Sequence, residues 1–305
     1  MSEASSPPAR ILERVIDLGW AAGWSVVGRL PERFVRSGTA ALADLIWRRS
    51  GKQVRRLESN LARVRPQATP TEIRELSRLG MRSYARYWGE AFRLHRLSRQ
   101  DVLDRVVTHH EQRLHDGLAA GRGVVVALPH QANWDLAAAW VRARDLSLTT
   151  VAERLKPEKL FDRFVAYRQS LGMEILPLTG GDDPFPILAE RVRAGGLVCL
   201  VADRDLSERG VQVEFFGAAT RMPAGPVALG LRTGAAVLPV TMWYEGDQMH
   251  VWFHEPVRPA AGRPGSIRGL TQQVADAFAE GIAAHPEDWH MLQRLWLADL
   301  ESPAA

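Results

Sequence analysis

The sequence predicts an α/β protein: a mixed, mainly parallel central sheet flanked by helices and preceded by an N-terminal helical extension. Three observations carry this expectation. From about residue 105 onward, short β-branched runs alternate with helical periods, the pattern of strands laid down between helices. Before that point the chain reads as helical and strongly basic. Finally, His130, Glu153 and the pair Asp203 and Asp205 each close a strand-like run. Open α/β sheets gather ligands beyond such carboxyl ends.

At 305 residues the chain can bury a sizeable core. No linker, internal repeat or low-complexity tract divides it, so residues 1–305 are expected to form a single domain, with 1–100 a helical, basic part and 101–305 an α/β core. The single cysteine, Cys199, lies in an apolar run, which excludes an intramolecular disulfide and a cysteine-based metal site and fits a reducing compartment.

Residues 1–100 hold 19 Lys+Arg against 9 Asp+Glu, whereas the rest of the chain holds 20 against 26. Any surface for an anionic partner therefore belongs to the first third. The uncharged stretch LGWAAGWSVVG, Leu18 to Gly28, has 11 residues, short of the roughly 20 needed to span a bilayer. Acidic Glu13 and Asp17 before it and Arg29 and Pro31 after it do not suit a signal peptide. Its Trp20 and Trp24 either enter a lipid interface or pack on the protein's own core. Next, ALADLIWRRSGKQVRR sets Leu42, Leu45 and Ile46 at helical spacing beside Arg48, Arg49, Lys52, Arg55 and Arg56. That is the composition of a helix lying on anionic lipid, or of a solvated basic face. No zinc finger, RNA-recognition signature or clear helix-turn-helix is present, so nucleic acid is not an expected partner.

The remaining elements follow in order. RSYARYWGEAFRL is helical. GVVVALP, LTTVAE, MEILPL and LVCLVAD read as strands, separated by the helical periods WDLAAAWVRAR, PEKLFDRFVAYRQSLG and PFPILAERVRAG. A loop then leads to FFGAATRMPAGP, a turn-rich loop before the helix GPVALGLRTG. AAVLPVTMWYE and MHVWFHEPV stand at hairpin distance, which makes the sheet mixed. The last helix, IRGLTQQVADAFAEGIAAH, stops before Pro286.

VVVALPHQANWDLAAAW carries the candidate chemistry. A histidine at a strand end often does no more than satisfy a loop. Here Asp135 stands five residues on, within the first helical turns, placed to hold the His130 ring in one tautomer and to stabilise the imidazolium formed on proton abstraction. Read alone, Asp135 is a first-turn acid complementing the helix dipole. No Gly-x-Ser-x-Gly elbow, His-Glu-x-x-His metal motif, Walker loop or Rossmann fingerprint is present. With a base but no evident nucleophile, the simplest nucleophile is the substrate: an alcohol deprotonated by His130 and attacking an activated acyl group. A thioester suits this, since a thiol of pKa about 8.5 leaves without strong acid assistance.

At these residues the chain resembles known families. HQANWD has the His-x4-Asp motif of the glycerolipid acyltransferases, in a setting similar to the bacterial lipid A acyltransferases, which usually carry His-x4-Glu. The blocks TVAERLKPEKLFDRFVAYRQSLGMEILPLTGG, FFGAATRMPAGPVALGLRTGAAVLPV and PEDWHMLQRLW resemble the actinobacterial phosphatidylinositol mannoside acyltransferases over nearly the whole chain. The resemblance implies a glycerolipid acyltransferase-like fold with a membrane-associating helical extension. It also implies transfer of an acyl chain, typically palmitoyl, from acyl-CoA to a mannose 6-hydroxyl of phosphatidylinositol mannosides, at the cytoplasmic face of the plasma membrane. Neither a metal nor a resident cofactor is implied, and a peripheral monomer is expected.

Carried over by position, His130 matches the general base and Asp135 its dyad partner, while Glu153 and Arg168 match polar residues lining the site. Asp203 stands where the family has Glu, which puts its contact with the acceptor in question, and Arg204 follows it in the same block. Gln131-Ala132 replaces a Ser-Gly. Thr220 and Arg221, in the Gly-rich FFGAATRMPAGP segment, are candidates for approach to a headgroup or phosphate. Without the resemblance, Glu153 with Arg154 reads as an exposed strand-end pair, Arg168 as a helix-surface residue and the Gly-rich segment as turn chemistry. The acyl chain is expected in a dry groove with its thioester beside His130. The rival readings are a lipid A-type acyltransferase, an acyl-CoA thioesterase and a non-enzymatic acyl-lipid carrier.

Overall fold

The computed structural model describes residues 27–153, 165–178, 183–205, 210–259 and 265–301. Trp20 and Trp24, Arg154 and the whole of PEKLFDRF lie outside them. The strands are β1 (Val106–His109), β2 (Val124–Leu128), β3 (Leu148–Ala152), β4 (Met173–Pro177), β5 (Leu197–Val201), β6 (Val211–Phe215), β7 (Ala218–Met222), β8 (Ala236–Glu245) and β9 (Gln248–Phe253).

Every residue of β2 is apolar and buried, which places it in a sheet covered on both faces. It is the central strand of a seven-stranded sheet of order β1-β9-β8-β2-β5-β3-β4. All neighbours run parallel except β8 and β9, which pair antiparallel. The mixed, mainly parallel sheet is therefore as the sequence predicts. Alternate residues of β2 feed two cores. Val125 and Ala127 pack with α7 (Phe185–Arg193), α8 (Gly225–Thr233) and α9 (Ile267–Ala284), while Val124, Val126 and Leu128 face α5 (Gln112–Ala119) and α6 (Trp134–Ala143).

Two elements differ from the sequence reading. Val106–His109 is a four-residue edge strand parallel to β9, entered from α4 (Arg99–Arg105). Too short to show a period, it was not anticipated as a strand. The segment read as a loop before α8 is instead a separate β6–β7 hairpin, turning at Phe216-Gly217 with φ of 49° and 72°. There glycine supplies a conformation that a side chain resists.

The helical part consists of α1 (Glu32–Arg48), α2 (Lys52–Val64) and α3 (Pro70–Ala91). A capping box between Thr69 and Glu72 starts α3, whose first residue is a proline that needs no hydrogen-bond donor. Ala43, Val54, Leu57, Leu61, Ile73 and Met81 form a small core with Leu292. Buried Asn60 fastens α2 to the C-terminal segment by donating to the carbonyls of Met291 (2.7 Å) and Gln293 (2.9 Å). The outer face of α1 stays uncovered among the described residues: Phe34, Leu42, Leu45 and Ile46 are exposed, and Arg48, Arg49, Lys52 and Arg55 follow them on the surface. No helix among the described residues is long and apolar enough to cross a membrane.

Candidate active site

Leu128 of β2 lies opposite Val201 of the neighbouring parallel strand β5, so His130 and Asp203 leave the sheet side by side, each two residues past that pair. The His130 Nδ1 to Asp203 Oδ1 distance is 2.6 Å, and the His130 backbone N–H donates to Asp203 Oδ2 at 3.0 Å. Trp289 Nε1 also donates to Oδ2, at 3.0 Å. Asp203 is fully buried. Burial alone would push its carboxyl up, but the imidazole and the Trp289 and His130 N–H donors together bring it below its ordinary value. An ionised carboxylate only accepts hydrogen bonds, so Nδ1 carries the proton and the Nε2 lone pair is left to act as a base. The ring is one-third exposed and lines a cavity of about 430 Å³.

The expected pairing of His130 with Asp135 is not formed. Asp135, almost fully buried on the first turn of α6, accepts from Arg168 Nε at 2.7 Å and Nη2 at 3.2 Å, and from the Tyr87 hydroxyl at 2.9 Å. The physical reason is the geometry of the turn. Ala132 has a φ of 48°, and the Asn133 side chain caps α6 by accepting from the Leu136 N–H at 2.9 Å. The helix thus starts with its buried side toward α3 and the helical residues 165–170, while the imidazole is drawn to β5. Burial would lower the Arg168 guanidinium's pKa, but the Asp135 charge raises it above its ordinary value, and Tyr87 is pushed up by burial and by the same charge.

Of the other residues singled out in the sequence, Glu153, Arg168 and Arg204 line the cavity with His130. Glu153 and Arg204 form a long ion pair at 3.6 Å. Asp203 is sealed behind the imidazole, which answers the question about its contact: its partner is His130. Thr220 and Arg221 lie elsewhere. Thr220 is buried in the β6–β7 hairpin and donates to the Leu295 carbonyl at 2.7 Å, and Arg221 is exposed on the same strand. Neither lines the cavity. Gln131 does not narrow the site. Its amide oxygen accepts from the Met242 N–H at 3.1 Å, and its nitrogen faces the carbonyls of Gly281 and His285 at the end of α9.

Sequence reasoning missed the segment from His285 to His290. Ser83 of α3 donates to Asp288 Oδ1 at 2.5 Å and lies 2.9 Å from His290 Nε2, and the Tyr244 N–H donates to Asp288 Oδ2 at 2.8 Å. Burial pushes the Asp288 carboxyl up to about 6 and the His290 imidazole down to about 3, the latter helped by the charge of His130. His290 lines the cavity, and its backbone N–H donates to the His130 carbonyl at 2.7 Å. Trp134 meets the His130 ring edge-on, with centroids 5.5 Å apart, and lies tilted against the His290 ring at 6.4 Å. The only signal was the block PEDWHMLQRLW, whose role the sequence alone did not reveal.

A base held in one tautomer beside a cavity is a general device, and the comparison with known proteins narrows it. The family profile described as bacterial lipid A biosynthesis acyltransferase matches residues 3–298. The chain belongs to this family. A relative from Mycolicibacterium smegmatis, named phosphatidylinositol mannoside acyltransferase, is 48% identical over 294 residues, covering 94% of this chain and 93% of its own. One of the same name from Mycobacterium tuberculosis is 47% identical over 303 residues, covering 96% and 92%. As a member of an acyltransferase family, the protein is an enzyme whose candidate centre is the cavity around His130.

Proposed function

We propose that the protein transfers a fatty acyl chain, typically palmitoyl, from acyl-CoA to a mannose 6-hydroxyl of phosphatidylinositol mannosides at the cytoplasmic face of the plasma membrane. The observation that carries the reading is the His130–Asp203 pair opening on the cavity, taken with relatives that bear this acceptor in their names. His130 Nε2 removes the proton of the acceptor hydroxyl as its oxygen attacks the thioester carbonyl. Asp203 holds the ring and stabilises the imidazolium that results. Trp134 lines both this cavity and an apolar space behind it, bounded by Leu128, Ala138, Trp140 and Cys199, which supports a dry path for the acyl chain leading away from His130. Burial pushes the Cys199 thiol up to about 12, so it is no nucleophile.

The exposed apolar residues of α1 beside the arginines of α1 and α2 suit docking on an anionic lipid surface. Docking keeps the acceptor's fatty tails in the membrane while its sugar enters the cavity. The test is radiolabelled acyl transfer from palmitoyl-CoA to purified phosphatidylinositol mannosides and, in parallel, to a lipid A precursor. Labelled mannoside made by wild type and not by His130→Ala is the expected result. Label on the lipid A precursor alone, or only as free palmitate, overturns the acceptor assignment.

A further inference from the structure

Attack on a thioester places negative charge on the carbonyl oxygen, and an enzyme that speeds the step needs an N–H donor aimed at that oxygen in a site poor in water. We infer that Arg204 is this donor, an inference that rests on the acyl-transfer reading above.

Among the described residues, three buried side-chain polar atoms lack a hydrogen-bond partner: Arg36 Nε, Arg204 Nε and His290 Nδ1. A buried polar atom left without a partner costs about 1–3 kcal/mol, so its retention in a catalytic cavity is informative. Arg36 lies at another cavity, its guanidinium engaged by Glu32 and Asp247. His290 is neutral, and with Ser83 giving its proton to Asp288, the imidazole donates through Nε2 and leaves Nδ1 an acceptor. Among the described residues, Arg204, a residue lining the His130 cavity, therefore carries the one buried side-chain N–H there that lacks a partner.

Two further observations favour Arg204. The other arginine discussed at this site, Arg168, has Nε and Nη2 committed to buried Asp135 at 2.7 and 3.2 Å. Arg204, with 15% of its side chain exposed, has among the described residues a single ion-pair partner, Glu153, at 3.6 Å and itself 47% exposed. Its charge is thus not neutralised by a close carboxylate in the interior. Arg204 also directly follows Asp203, so the residue that orients the base and the residue that receives the oxyanion share one short turn after β5. The guanidinium stays charged throughout, so it supplies a preformed donor at the moment of reaction.

In the step, the acceptor O–H proton passes to His130 Nε2, the O–C bond forms, and the carbonyl π pair moves onto oxygen, where Arg204 holds it. Collapse re-forms the C=O bond and breaks the C–S bond, and the imidazolium returns its proton to the departing thiolate, giving free coenzyme A.

The oxyanion is common to transfer onto a sugar and to slow hydrolysis by water, and that provides the test. Arg204→Ala is expected to lower kcat on the order of 10²–10³-fold, with the KM for palmitoyl-CoA changed by less than about threefold, and to depress transfer and palmitoyl-CoA hydrolysis by the same factor. Arg204→Lys, which keeps the charge but lacks the planar fork, is expected to remain at least about tenfold below wild type. Thermal unfolding and the Kd of a non-cleavable thioether analogue of palmitoyl-CoA report whether each variant is folded. If the alanine variant is not, Arg204→Gln is read in its place. A raised KM with kcat preserved would make Arg204 an anchor for a substrate anion and overturn the proposal. So would lost transfer with hydrolysis intact, which would make it an acceptor contact. A wild type that hydrolyses palmitoyl-CoA but acylates no mannoside defeats the acceptor assignment while leaving the hydrolysis arm to decide on Arg204.

Discussion

Two buried carboxylates flank the start of the chemistry, and their surroundings are opposite. Asp203 accepts from an imidazole, a backbone N–H and an indole N–H. Asp135 accepts from a guanidinium and a phenol. In the proposed step the imidazole changes charge, so the field of Asp203 is felt most strongly when His130 has taken the proton. The guanidinium never changes charge, so Asp135 gives its field to a partner that is the same before and after the step. On the proposed mechanism one carboxylate acts on the reaction, while the other holds Arg168, a residue of the cavity wall.

The largest expected effect separates the two. Asp203→Asn leaves a neutral amide against Nδ1, which favours the wrong tautomer and cannot stabilise the imidazolium, and a loss of about 10³–10⁴ in kcat is expected. Asp135→Asn leaves Arg168 buried with its charge uncompensated. Here the expected signature is a stability loss of about 3 kcal/mol, measured by urea unfolding, with a smaller loss of kcat in the protein that remains folded. The reverse pattern, turnover abolished by Asp135→Asn and retained by Asp203→Asn, would show that Asp135 serves His130 in the working enzyme.

These two carboxylates also show how much the sequence disclosed. His130 was legible because a histidine after five apolar residues marks a strand end, and the same reasoning marked Glu153 and Asp203 as neighbours of the site. The sequence could not supply strand order. That β5 lies beside β2, 73 residues away, is what brings Asp203 to Nδ1, whereas Asp135 was chosen because it is close along the chain. Likewise Ser83 and Asp288 are 205 residues apart, and no periodicity reports such a contact. The α/β alternation was legible because each buried strand and helix carries its own pattern. The β6–β7 hairpin was hidden by Gly217 and Pro223, which make a strand pair read as a loop.

The imidazoles extend the contrast to pH. His130 is open to the cavity, whereas burial pushes His290 down to about 3 and His254 down to about 4. In the unfolded chain both titrate near 6.5, so below that pH the unfolded state binds more protons and stability falls with pH until each folded value is passed. Asp288 acts in the opposite sense. With its carboxyl raised to about 6, the folded state holds the extra proton between about 4 and 6, so its contribution is lost as pH rises through that window. Two imidazoles outweigh one carboxyl, and a net loss on the order of 2–3 kcal/mol is expected between pH 7 and pH 5 by urea unfolding. His254 sits against Thr241, 2.8 Å from its hydroxyl and away from the cavity, so His254→Gln tests the sign without touching the chemistry. It should flatten the pH dependence, and an unaltered slope would mean that this ring is not held neutral by burial.

The smallest effect concerns the turn that sends the two carboxylates to different partners. Ala132 is fully buried with a φ of 48°, in the left-handed region, and its N–H donates to the Asp288 carbonyl at 2.9 Å. For an L-residue with a Cβ this conformation costs roughly 1–2 kcal/mol. Glycine removes that strain but returns roughly 0.5–1 kcal/mol through the greater freedom of the unfolded chain. Ala132→Gly is therefore expected to stabilise the fold by up to about 1 kcal/mol, read as a Tm increase of roughly 1–3 °C, with kcat unchanged to within about twofold. A drop in Tm would mean that the methyl group's packing against its buried neighbours outweighs the strain. A stable variant with lost turnover would mean that the side chain, and not the turn alone, holds His130 on the Asp203 side.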